Sequence, residues 1–244
     1  MHKILISIVS HGQGNLIKEL FRDLNKIKVH ESIELSVVLT LNKKEDESFI
    51  KSLKKIPLKV IYNQSQKGFG ENHNQAFLKS KCDYFLILNP DVRIGYINLQ
   101  KLIANAGTNS LVSVKVLNSK NEIENSFRDF PTIKGTIKRL FIKSIIKSPN
   151  KGKILFHVDW IAGMFIFTSA TLFKDLNGFD QNYYMYYEDV DLCFRAQKKS
   201  CECIVDFSQH IYHDAQRDSH QNVRYLFWHL SSMFRFFIKR SQFK

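Results

Sequence analysis

Apolar and polar positions alternate along the chain in two rhythms. KILISIVS, residues 3–10, is a nearly unbroken apolar run, the pattern of a strand buried on both faces. From Gln13 to Lys26 the apolar residues Leu16, Leu20, Phe21 and Leu24 recur at helical spacing, which predicts a helix. SVVLTL (36–41) predicts a second strand, Asp46 to Lys54 a helix, Leu58 to Tyr62 a third strand, about 71–80 a further helix, and DYFLIL (83–88) a fourth strand. Strands that alternate with helices in short succession predict an α/β fold with a doubly wound, mostly parallel central sheet flanked by helices. Such sheets bind ligands beyond the carboxyl ends of their strands.

The second half is less regular. Leu111 to Leu117 and Trp160 to Thr168 read as strands, Val190 to Lys199 as a helix, Ile204 to Phe207 as a short strand and Val223 to Lys239 as a last helix. Glu188 and Asp189 fall in the first turn of the 190–199 helix, where the helix dipole favours carboxylates, and Asp191 with Arg195 forms an i,i+4 pair. No repeat and no Gly/Ser- or Pro-rich linker divides the chain, so one domain with two functional halves is expected.

Charge refines this picture. The 244 residues hold 36 Lys plus Arg against 23 Asp plus Glu, a net charge of +13. Residues 132–157 and 223–244 contain no acidic residue and together carry twelve basic ones, so the rest of the chain is nearly neutral. In the last helix Leu226, Phe227, Leu230, Met233, Phe234, Phe237 and Ile238 form one stripe. That stripe needs a cover, either the body of the fold or an anionic membrane surface with Arg235, Lys239 and Arg240 at the headgroups. Ile133, Ile137, Leu140, Phe141 and Ile145 repeat the pattern among lysines, and two such segments favour membrane contact. Cys82, Cys193, Cys201 and Cys203 have no zinc-type spacing, and a reduced, cytosolic chain is expected. The apolar run Ile4 to Val9 is too short for a signal-peptide core, and no stretch is long and apolar enough to span a membrane.

Four pieces could carry chemistry. Asn89-Pro90-Asp91 sets a carboxylate just after a buried strand, where it can hold a hard divalent cation that takes its other ligands from phosphate oxygens; it can equally be a plain turn. Gly68, Gly70 and Asn74 belong to a glycine-containing turn that runs into a helix, whose free N–H groups suit a phosphate or sugar oxygen. The turn lacks the dinucleotide fingerprint and follows the third strand, against a nicotinamide site. In Tyr186-Tyr187-Glu188-Asp189-Val190-Asp191 a carboxylate could act as a general base, or the acids could simply satisfy helix N-terminal donors. His213, after the Ile204 to Phe207 strand, could complete a metal site with Asp91 or be a structural histidine.

In this order, QKGFGENHNQAF (66–77), LNPDV (88–92), DWIAG (159–163), GFD (178–180) and YYEDVDL (186–192) resemble the family 2 glycosyltransferases with a GT-A fold, especially their bacterial rhamnosyltransferase-like branch. The resemblance covers the chain to about residue 222. It implies a GT-A domain over 1–222, with a nucleotide-sugar half at 1–117 and an acceptor and catalytic half at 118–222, followed by a basic amphipathic helix at 223–244. It implies an inverting transfer from a dTDP-, UDP- or GDP-linked sugar, with rhamnose the branch-level expectation, to a glycan or lipid-linked glycan in bacterial surface polysaccharide synthesis. Donor contacts are implied for Ser10, Asn42, Gly68, Gly70, Asn74, Asn89 and Asp91, with Asn42 at a pyrimidine edge. Mg²⁺ or Mn²⁺ is implied at Asp91, where Asn89 replaces the first acid of the family's Asp-X-Asp motif, with His213 as a further metal contact. Asp189 is the implied base and Glu188 its alternative; Trp160 and Gly163 are implied at the acceptor. The setting is the cytoplasmic face of the cell membrane. Two other classes compete. A nucleic-acid-binding protein would explain the pI near 9.5 but gives no role to Asp91, Glu188 or Asp189, and an inactive glycan-binding relative would have no use for Asp91 and Asp189.

Overall fold

Nine strands form one mixed sheet in the order β3-β2-β1-β4-β10-β6-β11-β5, with β8 also paired to β11. The computed structural model describes residues 1–132, 135, 153–213 and 223–242. β1 (His2–Ser10), β2 (Ile33–Leu41), β3 (Leu58–Tyr62) and β4 (Tyr84–Leu88) run parallel. β10 (Phe165–Ser169) lies antiparallel between β4 and β6 (Ser110–Leu117), and β11 (Glu202–Tyr212) runs parallel to β6. β5 (Arg93–Tyr96) and β8 (Leu155–Val158) pair antiparallel with opposite ends of β11. Six strands therefore share one direction, and the sheet is mostly parallel as its apolar runs predict.

Helices cover both faces. α1 (Gly14–Leu24) sets Ile17, Leu20, Phe21 and Leu24 against Ile4, Ile6, Ile8, Val37 and Leu39. α2 (Phe69–Leu78), α4 (Ala170–Asp175) and α5 (Glu188–Lys198) cover the other face, where Leu5, Val38, Phe85 and Ile87 meet Ala76, Phe173, Leu192 and Cys193. Burying one such side chain contributes about 1.5 to 3 kcal/mol, and the period-two alternation along β1 supplies both faces. The four cysteines are free thiols, three of them buried.

Several boundaries depart from the sequence pattern. The helix expected at 46–54 is a single 3₁₀ turn, Ser48–Ser52. β5 and α3 (Leu99–Ala106), the latter capped by the Asn98 side chain on the Lys101 N–H, fall where no element was expected. The Trp160 to Thr168 run is two strands, β9 (Trp160–Ile161) and β10, and β9 pairs with β7 (Phe127–Arg128) in a separate ribbon. The short strand at 204–207 is eleven residues long because a bulge after Asp206 carries the chain on to Tyr212. Asp206 sustains that bulge by accepting from the Ser208 backbone N–H and hydroxyl and from Gln209 Nε2.

The last helix, α6 (Val223–Gln242), docks by a face beside the expected stripe. Phe236 and Ser232 are buried, whereas Val223, Leu226, Phe227, Leu230, Phe234 and Ile238 are exposed. Two of the three cations expected at headgroups point elsewhere. Lys239 reaches Asp180 and Asp191, and Arg240 donates to the Pro131 carbonyl. The stripe at Ile133, Ile137, Leu140, Phe141 and Ile145 lies outside the described residues. Among the described residues, no helix is long and apolar enough to cross a membrane.

Candidate active site

The carboxyl ends of β1, β4, β6 and β11 share one edge, and the oppositely directed β10 begins there. Asn89-Pro90-Asp91 leaves β4 at this edge, with the Asn89 N–H donating to the Met164 carbonyl at 3.0 Å. His213 leaves β11, its backbone N–H fixed on the Leu117 carbonyl at 2.8 Å. These anchors bring Asp91 Oδ2 to 3.2 Å from His213 Nε2, the pairing the sequence could only suggest. Asp91 Oδ1 is buried with no hydrogen-bond partner, a costly state for a carboxylate oxygen unless a cation or ligand arrives. Among the described residues no three His, Cys, Asp or Glu side chains converge. The pair therefore fits a hard divalent cation that takes its remaining ligands from water and phosphate. A crevice of about 280 Å³ opens here, lined by Leu16, Glu19, Pro90, Asp91, Arg93, Tyr212 and His213.

The acidic turn reaches the same edge by a different route. Tyr186 and Tyr187, with φ of 70° and 65°, turn the chain sharply through the left-handed region before α5 begins at Glu188. Asp189 accepts from the Gly163 N–H at 3.0 Å and from its neighbour Val190 at 2.8 Å. Because Met164 follows Gly163 and bonds Asn89, a short run of contacts links Asp189 to the strand end that carries Asp91.

Burial raises the Asp189 carboxyl above the usual range, while the Gly163 and Val190 N–H groups and the charge of Arg128 pull it back. Burial raises Glu188 further, the neighbouring Asp189 charge adds to this, and Glu188 Oε2 is buried with no hydrogen-bond partner. Two adjacent carboxyls so placed do not both ionise easily, and the stronger upward push falls on Glu188. Arg128, in β7 opposite Trp160, was not foreseen; only the β7–β9 ribbon brings it near Asp189.

The expected donor residues divide. Asn42 is fully buried and spends both ends of its amide on the chain, accepting from Lys67 N and Asn63 Nδ2 and donating to the Lys67 carbonyl. It fastens the 63–67 loop. Asn74 likewise bonds the Phe179 N–H and carbonyl, and a Cβ at Gly70 would lie 2.5 Å from Phe179 Cβ. Gly68 must be small because the Tyr184 carbonyl would stand 2.7 Å from its Cβ. These three residues fasten the start of α2 to residues 179 and 184. Buried Ser10 accepts the Gln13 N–H through its hydroxyl, starting α1. Asp91 remains lining the crevice, and Asn89 precedes it at the end of β4. A second crevice of about 450 Å³, lined among others by Gly12, Asn15, Lys18, Glu45 and Phe49, lies beyond β1 and β2. A third cavity, about 720 Å³ among residues 26–33 and 94–100, contains none of the expected site residues.

The expected acceptor residues also shift in meaning. Gly163 holds Asp189 through its N–H. Trp160 is half-buried against Tyr183, Val190, Phe194 and Phe236, and its Nε1 is buried without a partner.

A mostly parallel α/β sheet with a carboxylate–imidazole pair at its switch edge and a half-buried carboxylate beside it marks a ligand site beyond the carboxyl ends of the strands. The chain belongs to glycosyl transferase family 2, whose sequence model matches residues 6–176, and it is a glycosyltransferase. It is similar to the rhamnosyltransferase WbbL of Escherichia coli K12, 31% identical over 97% of this chain and 93% of that protein. In fold it resembles GalNAc-T7 crystallised with UDP, GalNAc and Mn²⁺, with a TM-score of 0.67 at 14% identity over 87% of this chain and 44% of that one. It also resembles residues 1–349 of Staphylococcus aureus TarS in complex with UDP-GlcNAc, with a TM-score of 0.63 at 16% identity over 91% of this chain and 62% of that one.

Proposed function

We propose that this glycosyltransferase moves a sugar, rhamnose by likeness to WbbL, from a nucleoside-diphosphate donor to a glycan or lipid-linked glycan during surface polysaccharide synthesis, with inversion at the anomeric carbon. The observation that carries the reading is the linked pair of acidic centres at one sheet edge, Asp91 with His213 and Asp189 with Gly163. Asp91 and His213 would hold a divalent cation, Mg²⁺ or Mn²⁺, and GalNAc-T7 was crystallised with Mn²⁺. When bound there, such a cation neutralises the charge that develops on the departing diphosphate.

Asp189 accepts the proton of the acceptor hydroxyl as that oxygen attacks. Its raised pKa makes it a stronger base than a solvated aspartate, and the Gly163 N–H orients the carboxylate. Glu188, protonated beside it, keeps a second negative charge out of the site. Asn89 stands on the donor side, with Ser10 and Asn42 shaping the loops beneath. Holding the two sugars in line contributes several kcal/mol, within the about 7 to 11 available from orientation.

The exposed stripe of α6 supports an anionic lipid surface as the place of work. Phe227, Phe234 and Ile238 are each at least 60% exposed, the helix carries no acidic residue, and Arg224 and Arg235 are exposed on it. Nucleotide release from UDP-, GDP- and dTDP-sugars, with and without Mg²⁺ or Mn²⁺, tests the chemistry; no release from any of them defeats the reading. Sedimentation with vesicles of phosphatidylglycerol tests the surface. Binding that weakens with salt supports it, and no binding at low salt assigns the stripe to another part of the chain.

A further inference from the structure

Helix α6 lies beyond the residues that match the family model, yet one of its faces grips the acidic turn almost residue by residue. The Trp228 ring packs on Tyr184 at 4.5 Å, and His229 meets both left-handed tyrosines, Tyr186 at 5.3 Å and Tyr187 at 5.5 Å. The Ser232 hydroxyl donates to the Met185 carbonyl at 2.9 Å. At the end of this face, Lys239 Nζ stands 2.9 Å from Asp180 and 2.6 Å from Asp191.

Those two carboxylates bracket the turn. Asp180 precedes it and Asp191 follows Asp189 by two residues, so one ammonium ties the entry of the turn to its exit. Asp191 is fully buried, and its other oxygen takes Arg195 Nε at 2.7 Å. Without Lys239, Asp191 would keep Arg195 and Asp180 would keep only its hydrogen bonds from Asn182. Non-glycine residues at positive φ persist only where their surroundings over-determine them, and α6 supplies those surroundings.

We infer that Lys239 is a positioning residue for Asp189: it holds the catalytic turn from outside and touches no substrate. The inference rests on the proposal that Asp189 is the base. The test is steady-state kinetics of Lys239→Met, which keeps the length of the side chain and removes its charge. The expected result is a fall in kcat of about tenfold or more, since small misplacements at a reacting centre cost that much. Donor KM should stay within about twofold, because the Asp91 side is untouched. Lys239→Arg should recover most of the rate, as a guanidinium can serve both carboxylates. Ser232→Ala, a milder release of the same turn, should show the same split with a loss of about threefold.

Wild-type kcat in Lys239→Met, or a lowered melting temperature with kcat unchanged, overturns the inference. If Lys239→Met does not fold, unchanged kcat in Ser232→Ala overturns it. Asp189→Asn separates the two readings. If it is active, the base assignment falls and the positioning role falls with it. If it is inactive while Lys239→Met keeps full kcat, only the positioning role is lost.

Discussion

The two halves of the fold treat their polar groups in opposite ways. Around Asn42 the first half builds a neutral network in which Asn63 Nδ2 reaches both Asn42 and Asn72, and Asn72 caps the Gly68 carbonyl. Nearby, Ser7 bonds His73, a buried imidazole whose pKa burial holds down to about 3 and which is therefore neutral. The second half instead buries Glu188 and Asp191 on either side of a half-buried Asp189, sets two tyrosines at positive φ, and brings in Lys239 from a distant helix. Neutral amides can be satisfied locally and make a rigid scaffold. A buried carboxylate kept basic cannot be fully satisfied, so its support comes from outside the turn.

Four substitutions set the halves against each other. Asp189→Asn should lower turnover by about a thousandfold, within the range of a lost general base; near-normal turnover in a donor and acceptor assay removes Asp189 from the chemistry. Asp91→Asn should weaken metal-dependent donor binding by about a hundredfold, read by calorimetry with and without Mn²⁺. An unchanged metal titration takes Asp91 out of the site.

Asn42→Leu leaves the Lys67 N–H without its partner and takes one of two acceptors from the Asn63 amide, at a cost of about 2 to 3 kcal/mol. In a chain of this length that is a fall in melting temperature of about 5 to 10 °C, and an unchanged melting curve would show that the network bears no load. Glu188→Gln should act in the opposite direction and more weakly. Its carboxyl pKa is raised on folding, so below the unfolded value both states are protonated and nothing is lost. As pH rises past that value the unfolded chain ionises first and stability falls. The glutamine should therefore melt about 2 to 4 °C higher at pH 8 for each kcal/mol recovered, and no higher near pH 4. A gain independent of pH would contradict this.

Much of the scaffold was legible because local pattern decides it. β1, β2 and β4 are largely buried apolar runs, β3 is the half-exposed edge strand, and α1 and α2 begin within two residues of their expected starts. The placement of Asp91 and Asp189 was also legible, each standing where a regular element meets a loop. What escaped depends on distant partners. The 160–168 run breaks because Gly163 turns its N–H to Asp189, 26 residues away, and β11 outlasts its apolar core because Asp206 gathers the bulge. Asn42 and Asn74 carry the right chemistry for a ligand, but the backbone of residues 67 and 179 takes it up. Lys239 read as a surface charge, since nothing in its own helix points to Asp180 and Asp191. The Leu99, Leu102, Ile103 and Ala106 spacing of α3 is ordinary helical periodicity and was open to a sequence reading.

The division of labour between the two centres is tested most directly by titrating Asp189→Asn with the donor that supports turnover, in the presence of Mn²⁺, by calorimetry. The account predicts wild-type donor affinity in a protein that no longer transfers sugar. Donor affinity lost together with turnover would place Asp189 on the donor side and contradict it.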